Sequence, residues 1–111
     1  MNEIRLPTLK ARGYQGKWFA RIGDADVPCI WMEWMSGYHY CDPLVEVDAG
    51  KCQIYIDAIK ANRQVALTDR RRTPDGKWHR GGYRSVWEIA NIRISSNGIE
   101  FDLVRKVAKL K

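Results

Sequence analysis

The chain has 111 residues, is 45% hydrophobic and carries a formal net charge of +6. A chain of this length fits one domain, and its five Trp, five Tyr and two Phe supply enough apolar area for a core without disulfides, which argues against global disorder. No apolar run approaches the roughly 18 residues of a membrane span, so no membrane partner is expected.

The cysteines and the N-terminus indicate the compartment. Cys29, Cys41 and Cys52 are odd in number and irregular in spacing, and no charged segment followed by an apolar stretch begins the chain. Neither a disulfide framework nor export is indicated, so we expect a cytoplasmic protein without a cofactor. The expected organisation is one domain over residues 1–111, in which residues 1–16 form an extended lead-in.

The first predicted elements are two strands, at residues 17–22 and 27–32. Trp18, Ala20 and Ile22 alternate with their neighbours in the first strand, and the second is an apolar run. Gly23 and Asp24 between them supply turn chemistry. These features predict a hairpin.

One helix is predicted over residues 48–61. Cys52, Tyr55, Ile56 and Ile59 follow the i, i+3, i+4, i+7 spacing of an amphipathic helix. Asp48 is the expected N-cap, and Asn62 lies near the expected end.

Three further strands are predicted at residues 64–68, 83–94 and 99–103. Asn97-Gly98 favours a tight hairpin between the last two, because both residues tolerate positive φ. Apolar positions change face within residues 87–94 and again at 103–104, a pattern typical of bulges in a bending sheet. The predicted fold is therefore β-rich α+β: a strongly curved five-stranded sheet or small barrel with one main helix.

The basic excess lies in one segment. Residues 60–84 contain eight Lys/Arg against two Asp, which accounts for the whole net charge. We expect residues 69–82 to form a basic hairpin arm that binds phosphates. The predicted phosphate contacts are Arg70, Arg71, Arg72, Lys77, Arg80 and Arg84, and the interleaved rings are Trp78, His79 and Tyr83. The alternative is that the cations are merely solvated and the two aromatic residues pack on the sheet.

A second candidate site is the aromatic segment of residues 31–43. Aromatic walls with one acid can hold a base between them. The predicted pocket residues are Glu33, Trp34, Tyr38, His39 and Tyr40, whereas Trp31 is expected in the core. The alternative is that much of this cluster is core, because large aromatic residues are usually buried.

Metal and catalytic alternatives rest on fewer residues. A metal site could use His39, Cys41 and Asp42 with Cys29 or Cys52, but zinc sites normally show two paired ligand motifs and this chain has one pair. A nucleophile and base could be Cys41 with His39 or His79, oriented by Asp42. No nucleophile elbow or phosphate-cradling loop is present, so no metal and no catalytic residue are assigned.

The sequences QVALTDRR and GYRSVWEIANIRI, within residues 62–94, resemble the late core of PUA-like barrels, the superfamily that includes the EVE, ASCH and SRA domains. Where those proteins have Gly-Asp before the first strand, this chain has Asn62-Arg63. The resemblance implies a barrel that reads nucleic acid or a modified base, although some relatives are hydrolases. It carries over no catalytic residue.

The predicted function is a non-catalytic module that binds nucleic acid, a nucleotide or a modified base through the basic arm and an aromatic pocket. One alternative is a protein-interaction or inhibitor domain that docks on an acidic partner. Another is a small hydrolase built on Cys41 and a histidine.

Overall fold

The structure is a computed structural model that describes residues 6–14, 18–44, 49–72, 75, 78–96 and 98–111. In these ranges the chain forms nine strands, a short 3-10 helix and one α-helix. In chain order they are β1 (Thr8–Leu9), β2 (Ala11–Tyr14), β3 (Phe19–Ile22), β4 (Ala25–Trp31), the 3-10 helix (Met32–Trp34), β5 (Met35–Ser36), β6 (His39–Asp42), α1 (Ala49–Asn62), β7 (Gln64–Arg72), β8 (Trp78–Ser95) and β9 (Gly98–Leu110). No helix in the described ranges is long and apolar enough to cross a membrane.

All nine strands belong to one strongly curved sheet. Its order is β2-β3-β4-β7-β8-β9-β6-β5, and β1 pairs in parallel with β9. Lys10 alone separates β1 from β2, and β2 pairs with β3 at the far end of the path. Strand pairing therefore continues from β2 through to β9, and β9 pairs with β1, which is joined to β2 along the chain. At this junction the Ala11 N–H donates to the Lys111 carbonyl.

The prediction of five strands was wrong in number. Residues 35–42, expected to be a loop, contain β5 and β6, and β6 pairs antiparallel with β9. The strand β6 buries Tyr40 and Asp42 and exposes His39 and Cys41, so it shows no apolar alternation that would reveal a strand. Residues 8–14 of the expected lead-in form β1 and β2, which are too short to carry a period.

The main core lies between the sheet and α1. Tyr55, Ile56 and Ile59 are all buried, which confirms the predicted helical stripe. The helix ends at Asn62, and Arg63 follows in the left-handed region with φ of 52° while its N–H donates to the Ile59 carbonyl. The predicted N-cap, Asp48, lies outside the described residues.

A second, smaller core occupies the other face of the sheet. In β7, Val65 and Leu67 pack in the main core, whereas Ala66 between them packs in the second. This is the period-two alternation of a strand covered on both faces. A row of small side chains crosses four paired strands in the second core, formed by Cys29, Ala66, Val86 and Ala108.

Bulges bend β8 against β9, as the change of face in the sequence predicted. The register shifts between Val86 and Trp87, between Glu88 and Ile89, and between Ala90 and Arg93. Asn91, within the last shift, has φ of 58°. Each shift increases the local twist, which is how a continuous strand follows a curved sheet.

The β7–β8 hairpin extends beyond the rest of the sheet. In the described part of the chain, pairing of β4 with β7 ends at Thr68, and pairing of β8 with β9 begins at Ser85. Beyond these points β7 and β8 continue to pair with each other, and Arg70 lies opposite Arg80. Residues 70–72 and 78–80 therefore form a two-stranded ribbon, in which Arg71 pairs with His79 and Arg72 with Trp78.

Candidate functional site

A cleft of about 470 Å³ lies where the ribbon joins the sheet. Its walls come from β7, β8 and β9, because the antiparallel register sets Ser85 opposite Lys109. The lining residues are Asp69, Gly82, Tyr83, Arg84, Ser85, Lys106, Lys109 and Leu110. It is open to solvent along the base of the ribbon.

The cleft has a positive charge. Arg84, Lys106 and Lys109 are exposed cations, and Asp69 is the one carboxylate among the described residues that line the cleft. The Arg84 guanidinium lies 3.5 Å from Asp69 Oδ2, an ion pair that is partly exposed. Two formal positive charges remain in excess, so the cleft attracts anions.

Tyr83 supplies a neutral hydroxyl beside these cations. Its side chain is half-buried in the wall of the cleft and packs against the second core. Burial raises the pKa of the Tyr83 phenol above its ordinary value, so the group stays protonated at neutral pH. A protonated hydroxyl can donate to a phosphate oxygen.

An aromatic pair adjoins the cleft, formed by exposed Tyr38 and by Trp87, which is half-buried against the main core. The rings of Tyr38 and Trp87 have centroids 5.7 Å apart and are tilted by 50°. The Trp87 indole N–H donates to Ser85 Oγ at 2.8 Å, and Ser85 lines the cleft. The aromatic pair and the cationic cleft therefore share a wall.

The backbone of Tyr38 is held in place by the β5–β6 turn. Gly37 precedes it with φ of 61°, a conformation that glycine adopts without steric cost. The Leu103 N–H of β9 donates to the Tyr38 carbonyl at 2.8 Å. The ring itself remains 68% exposed, which is unusual for a tyrosine whose backbone is so well anchored.

The structure places the predicted phosphate contacts in two groups. Arg84 lies in the cleft. The backbone of Arg70, Arg71, Arg72 and Arg80 lies in the ribbon, together with Trp78 and His79. Lys77 lies outside the described residues. The cleft therefore forms the described root of the predicted arm.

The predicted pocket residues do not converge on one site. Tyr38 borders the cleft, but Tyr40 is fully buried, stacks on Phe101 at 5.1 Å and donates to Asp42 Oδ2 at 2.8 Å. Its position in the core removes Tyr40 from the candidate surface. Trp34 is half-buried against the main core, and Glu33 lies half-buried in the 3-10 helix.

His39 lies on β6, in a separate cluster. Its Nδ1 is 2.8 Å from Asp102 Oδ1, and its Nε2 is 3.5 Å from a Glu100 carboxylate oxygen. The hydrogen bond to Asp102 is the main cause of a pKa above the ordinary value for His39. Asp102 precedes Lys106 by four residues, about 13 Å along an extended strand, so His39 is remote from the cleft.

The residues of the metal and catalytic alternatives are only partly brought together: His39 and Cys41 share the exposed face of β6, whereas Cys29 lies in the core. Burial raises the pKa of the Cys29 thiol to about 12, so it is an inert core residue. Asp42 accepts from the Tyr40 hydroxyl and the Leu44 N–H, whereas the carboxylate that orients His39 is Asp102. No group of three His, Cys, Asp or Glu in the described part of the chain is arranged to hold a metal ion.

The sequence did not predict that Lys106, Lys109 and Trp87 belong to the candidate site. The last predicted strand ended at Leu103, whereas β9 continues to Leu110. In the structure Ser95 pairs with Gly98, and the hairpin continues until Lys106 lies opposite Trp87. Residues 104–109 do not alternate between apolar and polar side chains, so the sequence does not indicate a strand there.

No protein-family model, curated protein or solved structure matches this chain. The resemblance to PUA-like barrels therefore stays a prediction.

Proposed function

We propose that the protein is a non-catalytic module that binds nucleic acid, or a nucleotide or modified base, through the cationic cleft and the basic arm. One observation carries the proposal: the cleft at the root of the ribbon adjoins Trp87, which contacts the exposed ring of Tyr38. Cations that neutralise phosphates beside rings that can stack on bases are the two components of single-strand nucleic-acid sites.

The cleft cations would act as the phosphate contacts. The Arg84 guanidinium has a fork of donors that fits phosphate oxygens, while Lys106 and Lys109 act as point charges. Asp69 holds Arg84 in place when no anion is bound. The ribbon residues would extend this contact along the nucleic-acid backbone.

The fold supports the finer assignment to a PUA-like barrel. The hydrogen-bonded path from β2 through β9 to β1, with a helix packed on one face, has the connectivity of a small closed sheet. We include this assignment and a cytoplasmic location in the proposal.

The test is fluorescence anisotropy with a labelled 12-nucleotide oligomer, titrated between about 50 and 200 mM salt. Changing Arg84, Lys106 and Lys109 together to Gln should lower the slope of log affinity against log salt by roughly two to three units. Lys60→Gln, an exposed cation on α1 outside the cleft, is the matched control.

Changing Arg70, Arg71 and Arg72 together to Gln tests the arm. This triple change should also lower the slope of log affinity against log salt by roughly two to three units. Affinity that is flat in salt, or that ignores both triple changes, would refute the phosphate-binding role. A poly-glutamate peptide that binds while no oligonucleotide does would favour the acidic protein partner instead.

A further inference from the structure

We infer that the ligand is a single-stranded nucleic acid, with one phosphate in the cleft and the adjacent base stacked on Tyr38. This inference rests on the proposed function and adds the ligand class. It is argued from the exposure of Tyr38, its support by Trp87, and the register that joins both to the cleft cations.

Tyr38 presents an open ring face. The ring contacts Trp87 at a centroid distance of 5.7 Å and is nevertheless 68% exposed. Trp87 therefore supports it from one side and leaves much of the other side in water. The fixed backbone lowers the conformational entropy that a ligand would otherwise have to remove from this residue.

The strand register arranges rings and cations side by side. Trp87 is the partner of Lys106, and Ser85 is the partner of Lys109. Trp87 and Ser85 are two residues apart, so these two pairs are separated by about 6.6 Å along β8. A single nucleotide step is of comparable length, so a base on the aromatic pair can be followed by a phosphate in the cleft.

The open ring face favours a single strand over a duplex. In a duplex each base is stacked between its neighbours, so only base edges and the backbone reach a protein surface. In a single strand the face of a base is free to stack on an aromatic side chain.

The experiment compares three probes that have the same number of phosphates and carry the same dye. They are a single strand of 12 thymidine nucleotides, a hairpin duplex, and a single strand without bases. Tyr38→Ala should weaken binding of the thymidine strand about 5- to 150-fold, the usual value of one stacked base. It should leave binding of the duplex and of the abasic strand unchanged. Tyr38→Trp should preserve binding, because it keeps a ring.

Ile54→Ala is the matched control, since Ile54 is a similarly exposed apolar residue on α1, at 59% exposure. Lys106 and Lys109 changed together to Gln should weaken binding of all three probes, because phosphates are common to them. Thermal unfolding of each variant checks that the fold is retained.

The outcomes separate the inference from the proposed function. If the duplex binds as tightly as the single strand and Tyr38→Ala has no effect, the inference is overturned while nucleic-acid binding stands. If none of the three probes binds, the proposed function fails as well. The inference requires that the wild-type protein and Tyr38→Trp bind the thymidine strand more tightly than the duplex and the abasic strand, and that Tyr38→Ala loses this preference.

Discussion

Trp31→Ala is the strongest test of how the aromatic segment divides between core and surface. Trp31 is 4% exposed, meets Trp18 edge-on at 5.0 Å and stacks on Tyr55 at 6.1 Å. Truncating a large aromatic residue in a core costs about 3 to 5 kcal/mol. Both ring contacts are lost, so we expect the upper part of that range.

Trp34→Ala is the matched comparison three residues along the chain. Trp34 is half-buried against the same core, so its truncation should cost about 1 kcal/mol, the ordinary value for a substitution. For a domain of this size each kcal/mol corresponds to about 4 °C in Tm. Trp31→Ala should therefore lower the Tm by about 16 to 20 °C and Trp34→Ala by about 4 °C.

Thermal and urea unfolding, followed by circular dichroism, measure both variants against the wild-type chain. Equal losses of Tm in the two variants would show that Trp34 belongs to the core to the same degree as Trp31. A Trp31→Ala protein that melts within a few degrees of wild type would refute the packing argument itself.

Two further predictions concern positions outside the cleft. Gly98→Ala should lower the free energy of unfolding by at least about 2 kcal/mol, because φ is 125° and an added Cβ would lie 2.0 Å from the Asp42 carbonyl oxygen. Gly37→Ala, with positive φ but open space, should cost less in the same urea titration, and equal costs would contradict the clash. An NMR titration should place the pKa of His39 above its ordinary 6.5, and Asp102→Asn should lower it. Because the folded pKa is raised, His39 should stabilise the fold fully below about pH 6.5 and lose this effect as the pH rises through the folded pKa; a midpoint at or below 6.5 would contradict it.

The elements that were predicted correctly have strong local signals. The helix has four apolar residues at 3.6-residue spacing, and all of Tyr55, Ile56 and Ile59 are buried. The predicted β8–β9 hairpin is present, with Ser95 opposite Gly98, the first residue of β9. These features depend on neighbours in the chain, which sequence patterns report directly.

The division of the aromatic segment depends on distant residues instead. Tyr40 is buried because Phe101 stacks on it and Asp42 accepts from its hydroxyl. Tyr38, two residues earlier, would share a strand face with Tyr40, but it lies in the turn before β6 begins. Neither the partner Phe101 nor the position of this turn can be inferred from the aromatic residues themselves.

The packing of the second core determines where a ligand can lie. Cys29, Ala66 and Ala108 are at most 1% exposed, and Val86 is 4% exposed. These described residues are buried together on one face of the sheet, so a base bound at the cleft would not enter between them. We expect such a base to lie on the surface beside Tyr38. A base stacked on an open ring is recognised by its aromatic face, and every base has such a face, so the site should bind single strands with weak sequence preference. Because cations contact the phosphates, the affinity should fall steeply with salt.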